Sequence, residues 1–216
     1  MHGTVFWDVD TQHDFLMPDG SLYVQGAETI LPNLKVLTSF AKERGIAILG
    51  SVDYHGLEDK EISHKPDLRE TYPPHCLAGT PGQEKVEATR PLSPLFIDSR
   101  PENKGALKKK VREHLAGGGE IFFRKQRFDV FSNPNVDTVL DAVRPGRVVV
   151  YGVALDVCDR YAIEGLLDRK RYRVALVQDA ARAIRPDEAP RLLEEWATRG
   201  VCILTTGQVI GGALGV

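Results

Sequence analysis

Residues 148–158 read Val148-Val149-Val150-Tyr151-Gly152-Val153-Ala154-Leu155-Asp156-Val157-Cys158. The first six form an almost unbroken apolar run, the mark of a strand buried on both faces. From Val157 to about Arg169 the pattern turns helical. A buried strand that feeds a helix is half of a parallel crossover unit. Whether that unit repeats decides the fold.

It does repeat. Upstream, Thr4 to Trp7 leads into Asp8-Val9-Asp10 as a buried strand. Ile30, Leu34, Leu37 and Ala41 then fall at helical steps, Gly45 follows as a stop, and Ile46 to Val52 reads as a second strand. Leu107, Val111 and Leu115 mark a helix closed by Gly117-Gly118-Gly119; Ile121 to Phe123 begins a strand; Val136, Val139, Leu140 and Val143 mark another helix. Downstream come a strand at Val174–Val177, a helix face made of Ala189, Leu192, Leu193, Trp196 and Ala197, and a last strand at Val201–Leu204. The alternation predicts an α/β fold of three layers, a mainly parallel β-sheet flanked by helices on both faces, with residues 1–216 as one domain. His55 to about Pro94 fits no element. A loop that long in a compact domain is usually functional. Lys108-Lys109-Lys110 lies between Leu107 and Val111 at helical spacing and reads as a solvated helix face.

The 216 residues carry a net charge of -2, with no basic excess to attract nucleic acid or a membrane surface, so a small molecule is the expected partner. No apolar run is long enough to span a bilayer, and the N-terminal residues lack the pattern of a signal peptide. Three cysteines, Cys76, Cys158 and Cys202, do not form a spaced disulfide framework. The expected location is the cytoplasm, where a free thiol persists.

Ligands of open parallel sheets bind at the carboxyl ends of the strands. Here those ends deliver Asp8 and Asp10, Asp53 and His55, Lys125, and the segment Ala154 to Cys158. Cys158 falls near the start of a helix, where partial positive charge and unpaired N–H groups favour a thiolate and can hold an oxyanion. Cys76 falls in a loop and Cys202 in a strand pattern, where a cysteine is a small apolar filler. A thiolate nucleophile needs a base or a nearby cation. Asp10 is the candidate base and Lys125 the candidate cation.

Asp53-Tyr54-His55 sets a carboxylate and an imidazole on one side of an extended segment. His64 and His75 are available to close a metal shell, with Glu61 as a substitute for His64. An Asp with two or three His suits one divalent metal, zinc first, with iron or manganese also open. The competing reading is a solvated loop with scattered histidines.

These motifs together resemble the nicotinamidases (pyrazinamidases) of the isochorismatase-like cysteine hydrolases. The resemblance lies in Val9-Asp10-Thr11-Gln12-His13-Asp14-Phe15 with Gly20-Ser21-Leu22, in Asp53-Tyr54-His55, and in Pro73-Pro74-His75-Cys76 with Gly79-Thr80-Pro81-Gly82. It continues in Lys125 leading to Phe131-Ser132, and in Gly152 to Cys158. It spans about residues 4–205 and implies the isochorismatase-like hydrolase fold. By this resemblance Asp10 takes the proton of Cys158, Lys125 supports the thiolate, and Cys158 attacks the carboxamide of nicotinamide. The N–H groups of Ala154 and Cys158 form the oxyanion hole, shaped by a cis peptide between Val153 and Ala154. Asp53, His55 and His75, with His64 as a further ligand, hold the metal. Phe15 and Tyr72 sandwich the ring, Phe128 and Phe131 line the pocket, and the chain assembles as a homo-oligomer. The rivals are an amidase of the same superfamily with another acyl group, the branch that cleaves a vinyl ether, a non-catalytic metal- or ligand-binding homologue, and a cysteine redox protein. Against the last, the chain has no C-x-x-C pair.

Overall fold

The computed structural model describes residues 3–215. Met1, His2 and Val216, which the one-domain reading includes, lie outside them. Seven strands form one sheet in the order β3-β4-β2-β1-β5-β6-β7. They are β1 (Thr4–Val9), β2 (Ala47–Asp53), β3 (Pro94–Ile97), β4 (Glu120–Lys125), β5 (Arg147–Val153), β6 (Arg173–Arg182) and β7 (Cys202–Leu204). Every pairing is parallel, so the sheet is wholly rather than mainly parallel.

Side chains alternate across this sheet and create two cores. Trp7, Leu49, Phe123 and Val150 face one side, against Val111 of α3 (Lys104–Ala116), Leu140 of α4 (Val136–Val143), Ile163 of α5 (Cys158–Asp168) and Trp196 of α6 (Ala189–Thr198). Phe6, Ile48, Phe122 and Tyr151 face the other, against Leu34 and Leu37 of α2 (Leu31–Glu43) and Val209 of α7 (Thr206–Ile210). The short α1 (His13–Leu16) follows β1 directly. The lysine run behaves as a solvated face: Lys108, Lys109 and Lys110 reach Asp141, Glu113 and Glu102 at 3.3, 3.8 and 3.8 Å.

Three differences from the sequence reading have local causes. The edge strand β3 was hidden at the end of the long loop because it is short, opens on Pro94 and is half exposed; a proline is tolerated there because an edge strand has unpaired N–H positions. β6 extends to Arg182, well beyond Val177, because its pairing with β5 shifts register between Val150 and Gly152, where Gly152 pairs with Ala181. The long loop is pinned rather than free: it carries bridges His55 with Leu77, Ile62 with Tyr72 and Gln12 with Lys85.

The chain runs from β1 to β2 on one side, and later places β5 on the other side of β1. This reversal opens a crevice beyond the strand ends, the usual ligand position in such sheets. Gly152 fits here only as glycine: its φ is +135°, and a Cβ would stand 2.0 Å from the Val9 carbonyl oxygen.

Candidate active site

Four consecutive strands in the sheet, β4, β2, β1 and β5, each end at the same crevice. Asp53 and Lys125 are the last residues of β2 and β4 and are partners in the parallel register. They therefore point to the same face, the one that α5 covers, and Lys125 Nζ donates to Asp53 Oδ1. Asp10 follows the last residue of β1 with φ +46°. Had β1 continued extended, Asp10 would share the face of Phe6 and Asp8. The left-handed turn, which Asp tolerates better than most residues, instead lets its Oδ2 approach Lys125 Nζ at 2.9 Å. Lys125 Nζ also lies 3.5 Å from Cys158 Sγ at the first turn of α5. One buried ammonium thus touches two carboxylates and the thiol.

The charge states follow from burial and these contacts. Burial disfavours the Lys125 ammonium, but Asp10, Asp53 and Cys158 outweigh it and hold the group well above the ordinary lysine range. Burial pushes the Cys158 thiol well up, with Lys125 opposing. The direction is opposite to the one expected from the helix start: enclosure outweighs the opposing Lys125 ammonium. Asp10 is raised, by burial first, with Lys125 opposing and the Asp53 charge adding, and so is a stronger base than a solvated aspartate. Burial also works to raise Asp53, yet Lys125, His55 and His75 together hold it well below the ordinary carboxylate range.

The other oxygen of Asp53 faces the histidines. Its Oδ2 lies 3.6 Å from Nε2 of His55 and 3.6 Å from Nε2 of His75. His75 Nδ1 is 2.7 Å from the Pro73 carbonyl oxygen, which can only accept, so Nδ1 carries the proton and Nε2 keeps its lone pair. Both ring nitrogens of His55 are buried and make no hydrogen bond, with Asp59 Oδ2 3.4 Å from Nδ1. The ligand atoms of Asp53, His55 and His75 lie within 4.8 Å of one another. Orphaned imidazole nitrogens around one ionised carboxylate fit a divalent metal. His64 is exposed and outside this cluster. Glu61 is buried and lines the cleft instead, its acid pushed up to about 7 by burial first, with the Asp53 charge adding.

A narrow cleft lies above Cys158. Phe15, Tyr72, Phe128 and Ile184 supply apolar walls, and Ala154, Asp53, Glu61 and His75 complete the floor. The rings of Phe15 and Tyr72 lie 5.4 and 6.5 Å from that of His75. Phe131 is not in the cleft. It stacks on Trp7 in the core beneath α5, with the Arg169 guanidinium 3.6 Å from its ring centroid. Phe128, three residues earlier, takes the lining position, since the short turn Val130–Ser132 directs Phe131 inward. The Val153–Ala154 peptide is cis. In the turn after it, Leu155 N–H donates to Arg182 O, and Val157 and Asp159 N–H both donate to Ala154 O. Among the described residues the N–H groups of Ala154 and Cys158 donate to no backbone carbonyl of this turn.

Two positions went unnoticed as site residues in the sequence. Gln12 is fully buried and grips the Asp53 peptide: its Oε1 accepts from Asp53 N at 2.7 Å, and its Nε2 donates to Asp53 O at 2.8 Å and Gln83 O at 2.7 Å. Asp159, next to Cys158, is fully buried with neither carboxylate oxygen hydrogen-bonded. Burial, with Asp10, Asp156 and Asp8 adding, holds it well above the carboxylate range as a neutral acid. No spacing rule flags either, because each depends on what surrounds it.

The profile of the isochorismatase domain matches residues 98–208, half of the chain, including Lys125 and Cys158. This chain belongs to the isochorismatase family. Among solved structures of the fold, a pyrazinamidase of Pyrococcus horikoshii in complex with zinc is 27% identical, with TM-score 0.69 over 94% of this chain and 98% of that one. A nicotinamidase/pyrazinamidase of Bacillus subtilis superposes with TM-score 0.73 at 19% identity, over 94% and 99% of the two chains. A "probable inactive nicotinamidase" of Arabidopsis thaliana is 22% identical over 183 residues, covering 83% of this chain and 80% of that protein. The family fold is therefore that of isochorismatase-like hydrolases, and this member shares it with nicotinamidases. No helix among the described residues is long and apolar enough to cross a membrane.

Proposed function

We propose that this isochorismatase-family chain is a metal-dependent cysteine amidohydrolase that converts nicotinamide to nicotinate and ammonia, in NAD salvage. The observation that carries the reading is the single ammonium of Lys125 in contact with Asp10, Asp53 and Cys158. A core lysine used only for structure needs one carboxylate, not two carboxylates and a thiol.

In this mechanism the substrate ring lies between Phe15 and Tyr72, with its carboxamide carbon over Cys158 Sγ. Asp10 accepts the thiol proton as Sγ attacks, and Lys125 stabilises the sulfur charge through the approach. The N–H groups of Ala154 and Cys158 receive the developing oxyanion. Asp10 then gives its proton to the departing ammonia, leaving a thioester on Cys158. Asp10 next takes a proton from the attacking water, which opens the thioester and releases nicotinate. Asp53, His55 and His75, with Glu61 as the fourth candidate, would hold the metal. When bound, such an ion, zinc first, supplies a Lewis-acid contact for a ring nitrogen or a water. Glu61 replaces His64 in the proposed shell because it is the one that faces the cleft. We place the enzyme in the cytoplasm, as a homo-oligomer whose 216 residues form one hydrolase domain.

The name of the Arabidopsis relative favours a second reading, a homologue without catalysis. The intact grouping around Lys125 supports the first. Ammonia release from nicotinamide, measured on metal-replete wild type beside Cys158→Ala, decides between them. The expected result is release by wild type alone. Silence from wild type on nicotinamide overturns the substrate, and equal release by both proteins overturns the covalent mechanism.

A further inference from the structure

A second, outer cavity lies beside the apolar cleft and shares Tyr72, Phe128 and Val157 with it as a common wall. Aromatic contacts run through that wall: Tyr72 meets Phe128 edge-on at 5.7 Å, and Phe128 stacks on the half-exposed Tyr161 at 6.2 Å. Beyond it the outer cavity changes chemistry. Arg69, Arg160 and Arg185 all line it.

The acids of this cavity are already engaged. Asp156 accepts from Ile184 N at 2.8 Å and Arg185 N at 3.1 Å and meets the Arg185 Nε at 3.2 Å. Glu164 is held by Arg160 Nε at 2.8 Å, one turn away on α5. Arg185 Nε also lies 2.8 Å from Glu188 Oε1, so both arginines make their closest ion contacts through Nε, at the inner edge of the guanidinium. Arg69 has no carboxylate within ion-pair distance among the described residues. Its backbone is nonetheless fixed, because Asp67 Oδ1 accepts from the N–H groups of Arg69, Glu70 and Thr71 at 2.9 Å each. A spare cation on a pinned loop, facing two further guanidinium groups, is an arrangement that awaits an acceptor anion.

We infer that this outer cavity is a subsite for an anionic group, and that the chain accepts, beside nicotinamide, amides that carry a carboxylate on an arm leaving the cleft past Tyr72 and Phe128. The inference rests on the amidase reading of the inner cleft for the position of the amide, and it extends the substrate class. A bare aromatic amide fills the apolar cleft and leaves the arginines unused. An amide with an acid on an arm of two or three carbons uses both.

The test is calorimetric titration of metal-replete Cys158→Ala, which does not consume the ligand. The probes are 3- and 4-(2-carboxyethyl)benzamide and their 3-hydroxypropyl analogues, which match them in length without the charge. The expected result is that one carboxylate probe binds about tenfold more tightly than its alcohol, as for a charge-assisted hydrogen bond. The difference should shrink in Arg69→Gln and Arg185→Gln, and with added salt. Equal binding of acid and alcohol, or a preference unaffected by both arginine substitutions, overturns the subsite. Hydrolysis of the same probes by wild type is scored separately. Binding preference without any turnover upholds the subsite and rejects the amidase reading, while turnover of acid and alcohol at equal kcat/KM does the reverse.

Discussion

Removing the Gln12 side chain tests whether the Asp53 peptide is held in place from outside its own strand. Gln12→Ala deletes three hydrogen bonds at 2.7–2.8 Å, two buried ones to Asp53 and a part-buried one to Gln83. At about 1 kcal/mol for each net hydrogen bond the loss is about 3 kcal/mol, which in a domain of this size lowers Tm by about 6–12 °C. Because Asp53 serves Lys125 with one oxygen and the histidines with the other, the same change should weaken divalent-metal binding by roughly 10–100-fold. Gln12→Glu keeps the shape but cannot donate to two carbonyls and adds charge beside Asp53, so it should fare worse than alanine. Thermal unfolding with and without chelator gives the stability change. Metal titration well below the variant's Tm separates loosened positioning from unfolding. An alanine variant within about 1 kcal/mol of wild type, with unaltered metal affinity, would refute the clamp.

Three other outcomes follow from the same structure. Cys158→Ala should abolish turnover and leave Tm near that of wild type; residual amidase activity above a few per cent of wild type, as read by ammonia release, would remove the covalent route. His75→Ala should strip the bound metal as measured by elemental analysis, whereas His64→Ala, an exposed position, should keep it; loss of metal in the His64 variant would restore that residue to the shell. Asp159 is held above its unfolded value by burial, so native stability falls as pH rises above about 4. Asp159→Asn mimics the neutral acid and removes that loss: its Tm should exceed that of wild type at neutral pH, with the gain vanishing as the pH approaches 4. A pH-independent difference would show that Asp159 is ionised in the native protein.

The sequence by itself determined the layers and the principal chemistry. Short apolar runs and period-3.6 apolar patterns are local properties, and they placed six of the seven strands and five of the longer helices. The strand-end rule then selected Asp10, Asp53, His55, Lys125 and Cys158, which the fold brings to one crevice. What depends on packing was decided only in three dimensions. Phe131 and Phe128 are equally apolar neighbours, and only the turn at Val130–Ser132 assigns one to the core and the other to the cleft. His64 and Glu61 both suit a metal by residue type, and only the burial of one and exposure of the other separates them. The thiol's pKa direction reversed because desolvation depends on enclosure by the whole molecule, which no helix pattern encodes. Gln12 reaches Asp53 across 41 residues of chain. Such contacts are invisible to periodicity, because it reports which face a residue occupies and not what the rest of the chain places opposite it.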